Sequence, residues 1–158
     1  MDYKTLVLGL GNPILSDDGV GVLIAEEVQS ALPPDSAIEV SEASVGGLEL
    51  MERLLGYRRV ILIDALSGSN YRAPGTIHQL TLADLRLVSP TQHSSSAHDT
   101  SLVTAWDMAQ RMGLALPEDV IIYAIEVENI IDFGEVLTPA VAAAVPRVTA
   151  AVLRDLGH

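Results

Sequence analysis

Short apolar runs alternate with segments of helical period along this chain. Residues 5–9 carry no charge and read as a strand buried on both faces. From about 18 to 31, Val20, Leu23, Ile24, Val28 and Ala31 recur at helical spacing, and Pro33-Pro34 stops the helix. Residues 37–40 form a second strand. Gly46-Gly47 opens a short helix carrying Leu48, Met51, Leu54 and Leu55, and Gly56 ends it. Residues 60–63 are a fully buried strand with Asp64 at its carboxyl end. The stretch 76–82 is more polar and belongs nearer a sheet edge. From 84 to 99 the period dissolves into Ser, Pro, Gln and His, which reads as a long loop. Thr100 or Ser101 then caps a helix with Leu102, Ala105, Trp106, Ala109 and Met112, closed by Gly113. Residues 120–125 are the last strand. Thr138-Pro139 begins a final helix in which Pro146 predicts a kink.

The order β-α-β-α-β-β-α-β-α alternates too regularly for a bundle or a β-sandwich. It predicts a three-layer α/β/α sandwich with a mostly parallel, twisted sheet of about five strands and one antiparallel edge strand. No linker or repeat interrupts it, so the expectation is a single domain over 1–158. Ligands of such sheets gather at the carboxyl ends of the strands. Asp17 and Asp18 follow the first strand and Asp64 ends the third, so all three fall on that rim.

Charge narrows the partners. There are 9 basic and 21 acidic residues, a net charge of −12. Nucleic acids and anionic membranes reward a basic face, so neither is an expected partner. The chain has no cysteine, which excludes disulfides, zinc–thiolate sites, iron–sulfur clusters and a cysteine nucleophile. Residues 1–4 are too short and mixed in charge for a signal peptide, and no apolar run approaches the ~20 residues of a membrane span. The expected location is the cytoplasm.

The first turn, Gly9-Leu10-Gly11-Asn12-Pro13-Ile14-Leu15-Ser16-Asp17-Asp18-Gly19, imitates a dinucleotide fingerprint and fails as one. Ile14 stands where the third glycine belongs, and two carboxylates stand where a pyrophosphate would be. Such a turn suits a cation better than an anion. One of the two acids has an ordinary explanation as a helix cap. The other adds like-charge repulsion unless it has a partner. Asp64, after four apolar residues, is costly unless paired, hydrogen-bonded or metal-bound; the ordinary alternative is a cap on the turn that follows. Of the histidines, His158 is terminal and His78 lies in a strand as a partly exposed side chain. His93 and His98 share the long loop, and His98 is the better candidate because a helix follows it. Two carboxylates and an imidazole suit zinc or nickel more than calcium or magnesium. No Gly-x-Ser-x-Gly elbow and no His-Glu-x-x-His helix is present.

These segments resemble the hydrogenase maturation endopeptidases, which trim the C-terminal tail of the nickel–iron hydrogenase large subunit. The resemblance is carried first by residues 9–21. Val60-Ile61-Leu62-Ile63-Asp64-Ala65, His98-Asp99-Thr100-Ser101-Leu102 and Gly134-Glu135-Val136-Leu137-Thr138-Pro139 add to it. Ala124 departs from a common glycine. The resemblance implies an aspartic-type, metal-dependent peptidase whose metal-contacting and catalytic residues fall on Asp18, Asp64 and His98. Asp17 would support the site or cap the helix. It implies nickel carried in by the substrate, with zinc or cadmium able to substitute in vitro, and no organic cofactor. The implied partner is a large-subunit precursor met by a monomer. Peptidyl-tRNA hydrolases also open with strand-Gly-Leu-Gly-Asn-Pro, but their Tyr and Arg-His-Asn stretch is absent, and −12 opposes tRNA. A non-catalytic metal-binding or assembly chaperone with the same ligands is the rival of a different class.

Overall fold

A computed structural model describes residues 4–66, 73–87, 97–128 and 132–158, and the side chains of 97–101 are outside the description. The described residues form five strands and five α-helices. In chain order these are β1 (Thr5–Leu10), α1 (Val20–Ala31), β2 (Ile38–Ala43), α2 (Gly47–Leu54), β3 (Arg59–Leu66), β4 (Ile77–Leu80), α3 (Leu82–Leu87), α4 (Ala97–Arg111), β5 (Asp119–Glu126) and α5 (Pro139–Asp155). A 3-10 turn, Ser16–Gly19, leads into α1.

The sheet order is β2-β1-β3-β5-β4. β1, β2, β3 and β5 run parallel, and β4 closes one edge antiparallel to β5. Side chains alternate across the strands, so each face builds its own core. Leu6, Leu8, Leu62 and Ile122 pack under α2, α3 and α4. Val7, Ile61, Ile63, Tyr123 and Ile125 pack under α1 and α5. The strands buried on both faces are the near-continuous apolar runs seen in the sequence. No described helix is long and apolar enough to cross a membrane.

Several boundaries differ from expectation. β2 starts and ends later than 37–40 and runs to Ala43. β3 runs two residues past Asp64, so that acid lies inside the strand. The expected strand 76–82 is cut to Ile77–Leu80 by a helix, α3, in what reads as loop. The cause is a capping box: Thr81 N–H donates to Asp84 Oδ2 at 2.8 Å, and Asp84 N–H donates to Thr81 Oγ1 at 3.2 Å. α4 begins at Ala97, before the expected caps Thr100 and Ser101, so His98 sits in its first turn. His93 lies outside the described residues. Pro146 lies inside α5, which is continuous over Pro139–Asp155.

Candidate active site

Strand order reverses at β1. The chain leaves β1 through α1 to β2 on one side, then crosses through α2 to β3 on the other. Such a switch point opens a crevice at the carboxyl ends of the two central strands, here β1 and β3. Asp18 comes from the turn after β1. Asp64 follows Ile63, the last β3 residue paired with β1. The site therefore takes one acid from each strand flanking the crevice.

The glycines of the first turn serve backbone packing. Gly11 has φ +139°, and a Cβ there would lie 2.0 Å from Asp18 O. A Cβ on Gly21 would lie 2.3 Å from Ile63 O, and one on Gly9 2.4 Å from Gly21 O. Bare backbone lets α1 start against the ends of β1 and β3. Asn12 Oδ1 accepts from Ile14 N–H at 3.2 Å, which closes the turn. Ser16 takes the left-handed conformation at φ 46°.

The two adjacent acids are both buried and do different things. Asp17 is fully inaccessible. Its carboxylate accepts from Glu128 N–H at 3.0 Å, Thr138 N–H at 2.7 Å and Thr138 Oγ1 at 2.7 Å. It thus ties the turn to the segment after β5 and to the residue preceding α5. Ser16 Oγ donates to Val136 O at 3.0 Å, and Leu15 bridges Gly134, strengthening the same seam. Asp18 is 5% exposed, and its Oδ2 accepts from Asn12 N–H at 2.8 Å. Neither acid caps α1, whose N-cap is Gly19. Like-charge repulsion between the neighbours is offset by four donors aimed at the pair.

Asp64 is 2% exposed, and its Oδ1 accepts from Ala65 N–H at 2.8 Å. It faces the α2–α4 side of the sheet. α4, whose first turn includes His98, packs on that side: it precedes parallel β5, so it runs back along the sheet and begins at the carboxyl rim. The backbone thus brings Asp18, Asp64 and the first turn of α4 to one rim. The described side chains contain no group of three metal-binding residues, and that of His98 is outside the description.

A fourth acid belongs to this face. Glu126, 3% exposed, ends β5 opposite Leu66, and β4's His78 places Nε2 3.1 Å from its Oε1. His78 is therefore half-buried and paired. An unbroken apolar run followed by an acid marks Glu126 in the sequence, after residues 120–125, just as it marks Asp64, after residues 60–63.

The family model of the HycI hydrogenase maturation proteases matches residues 22–155. The chain belongs to the hydrogenase maturation protease family. The match begins beyond Asp18, so it is carried by the body of the fold. The Hydrogenase 2 maturation protease of Escherichia coli is 29% identical over 99 residues, which cover 63% of this chain and 58% of that relative. The hydrogenase expression/formation protein HupD of Rhodobacter capsulatus is 26% identical over 153 residues, 97% of this chain and 71% of that one. Among solved structures, the maturating endopeptidase HybD of E. coli superposes with a TM-score of 0.79 at 26% identity, covering 98% of this chain and 92% of its own. The family match and this likeness of fold put the buried acids of the present chain on a maturation-protease framework.

Proposed function

We propose that this protein is an endopeptidase that removes the C-terminal extension of a nickel-loaded nickel–iron hydrogenase large-subunit precursor. The observation that carries the reading is the pair of buried carboxylates, Asp18 and Asp64, at the switch point of a maturation-protease fold. The substrate's own nickel would be read by Asp18, Asp64 and His98, a mixed oxygen and nitrogen set suited to a borderline divalent ion. A precursor held by its metal places the scissile peptide at the rim, and rate then comes largely from orientation. The carboxylate of Asp18 or Asp64 would take a proton from the attacking water. The protein would act as a monomer in the cytoplasm.

The test is incubation with nickel-loaded and nickel-free precursor, read by the mass of the large subunit. Wild type should shorten only the loaded form. Asp18→Ala, Asp64→Ala and His98→Ala should each slow trimming at least a hundredfold, on the order of losing a catalytic group. Trimming by all three at the wild-type rate would remove the site assignment. Binding without shortening would favour an assembly chaperone.

A further inference from the structure

A trough lies between α1 and α5, on the opposite face of the sheet from Asp64. Two adjoining cavities form it, of about 280 and 620 Å3, sharing Leu23, Glu135 and Leu137. Its floor is apolar: Leu23, Leu137, Val145 and Leu153 line it, with Pro146 and Ala150 exposed along α5. Glu26, Glu27 and Glu135 stand along it, all exposed, and its described lining contains no Lys or Arg. Within α5, Pro146 has no N–H to offer Ala142 O, and both residues line the trough. An apolar floor and an acidic margin describe a complementary ligand: apolar side chains with basic neighbours.

The trough also reaches the active rim. Pro13, Ser16 and Gly19 line its upper end. Its 135–137 wall is the segment seamed to the first turn through Ser16 Oγ and Val136 O. Exposed Ile14, Phe133 and Val136 extend the apolar surface there. A chain lying in the trough would therefore end beside the turn that presents Asp18.

We infer that the α1–α5 trough is a docking site for an apolar segment of the precursor flanked by Lys or Arg, separate from the metal-reading rim. This rests on the endopeptidase reading, and it assigns that enzyme a second hold on its substrate. Affinity from such a hold acts on binding and leaves the chemical step alone. Two variants test it with the nickel-loaded precursor: Ala150→Trp, which fills the trough from an exposed position, and Glu27→Lys combined with Glu135→Lys, which reverses its margin. Each should raise KM about tenfold with kcat unchanged. Circular dichroism checks folding; should Ala150→Trp fail to fold, the charge-reversed protein carries the test. Wild-type KM in the folded variants would overturn the trough while leaving the endopeptidase reading intact. If wild type binds the precursor without cutting it, that reading fails, and the trough is judged on Kd by the same tenfold criterion. Absence of wild-type binding would overturn both.

Discussion

At the scale of single residues, neighbouring acids have been given separate duties. Asp17 accepts three hydrogen bonds from groups more than a hundred residues away. Removing it leaves Glu128 N–H, Thr138 N–H and the Thr138 hydroxyl without that acceptor, each loss worth about 1–3 kcal/mol when buried. Asp17→Ala should therefore lower stability by about 3 kcal/mol, seen as a lower urea midpoint. Among the described residues, Asp18 accepts one bond, from Asn12 N–H. Asp18→Ala should cost about 1 kcal/mol yet abolish precursor trimming. Stability losses of equal size in the two variants would contradict this division. Position in sequence does not separate the two acids; the partners that reach Asp17 come from the segment before α5, which no local pattern links to the first turn.

At the scale of elements, close backbone approach sets where α1 sits. Gly21→Ala puts a methyl 2.3 Å from Ile63 O and 2.6 Å from Leu10 O, and both are backbone atoms of the central strands. The helix must lift from the sheet, at a cost of about 3 kcal/mol. Gly113→Ala, at φ +74° in open space, meets only left-handed strain of about 1 kcal/mol. Chemical denaturation of the two variants should show that ordering. A second contact joins β5 to the end of α5, where Tyr123 hydroxyl donates to Asp155. Burial, then this bond, raise the phenol above its usual pKa of 10.0. The native state thus keeps a proton that the unfolded chain releases above pH 10, so this contribution is complete below that pH and declines as pH rises past it. Tyr123→Phe should cost about 1 kcal/mol at neutral pH, and the gap to wild type should narrow above pH 10. The sheet, its antiparallel edge and the carboxyl-rim position of Asp18 and Asp64 were legible because buried parallel strands leave uninterrupted apolar runs. α3 was hidden because the start signal Thr81-Leu82-Ala83-Asp84 opens a helix of only six residues, Leu82–Leu87, too few for a periodic face. Glu126 carries the same run-then-acid signal as Asp64; what the sequence hides is its pairing with His78, which is close only through the β4–β5 register.

For the whole molecule, charge is the property that composition states and the fold leaves in place. The −12 net charge is carried by a protein whose Asp17, Asp18, Asp64 and Glu126 are buried, leaving many of the remaining acids to repel one another at the surface. At 10 mM salt this repulsion acts over about 30 Å; at 150 mM the range falls to about 8 Å. Raising NaCl between those limits should therefore stabilise the free protein, with Tm rising by about 3 °C, equivalent to about 1 kcal/mol for a chain of this size. The same salt should weaken capture of a basic segment along Glu26, Glu27 and Glu135, raising KM for the precursor. Salt then moves stability and substrate affinity in opposite directions. With Glu27→Lys and Glu135→Lys together, the net charge becomes −8, the salt gain in Tm should shrink, and the salt dependence of KM should fall with it. A KM that ignores salt in wild type would show that the acidic margin plays no part in holding the precursor.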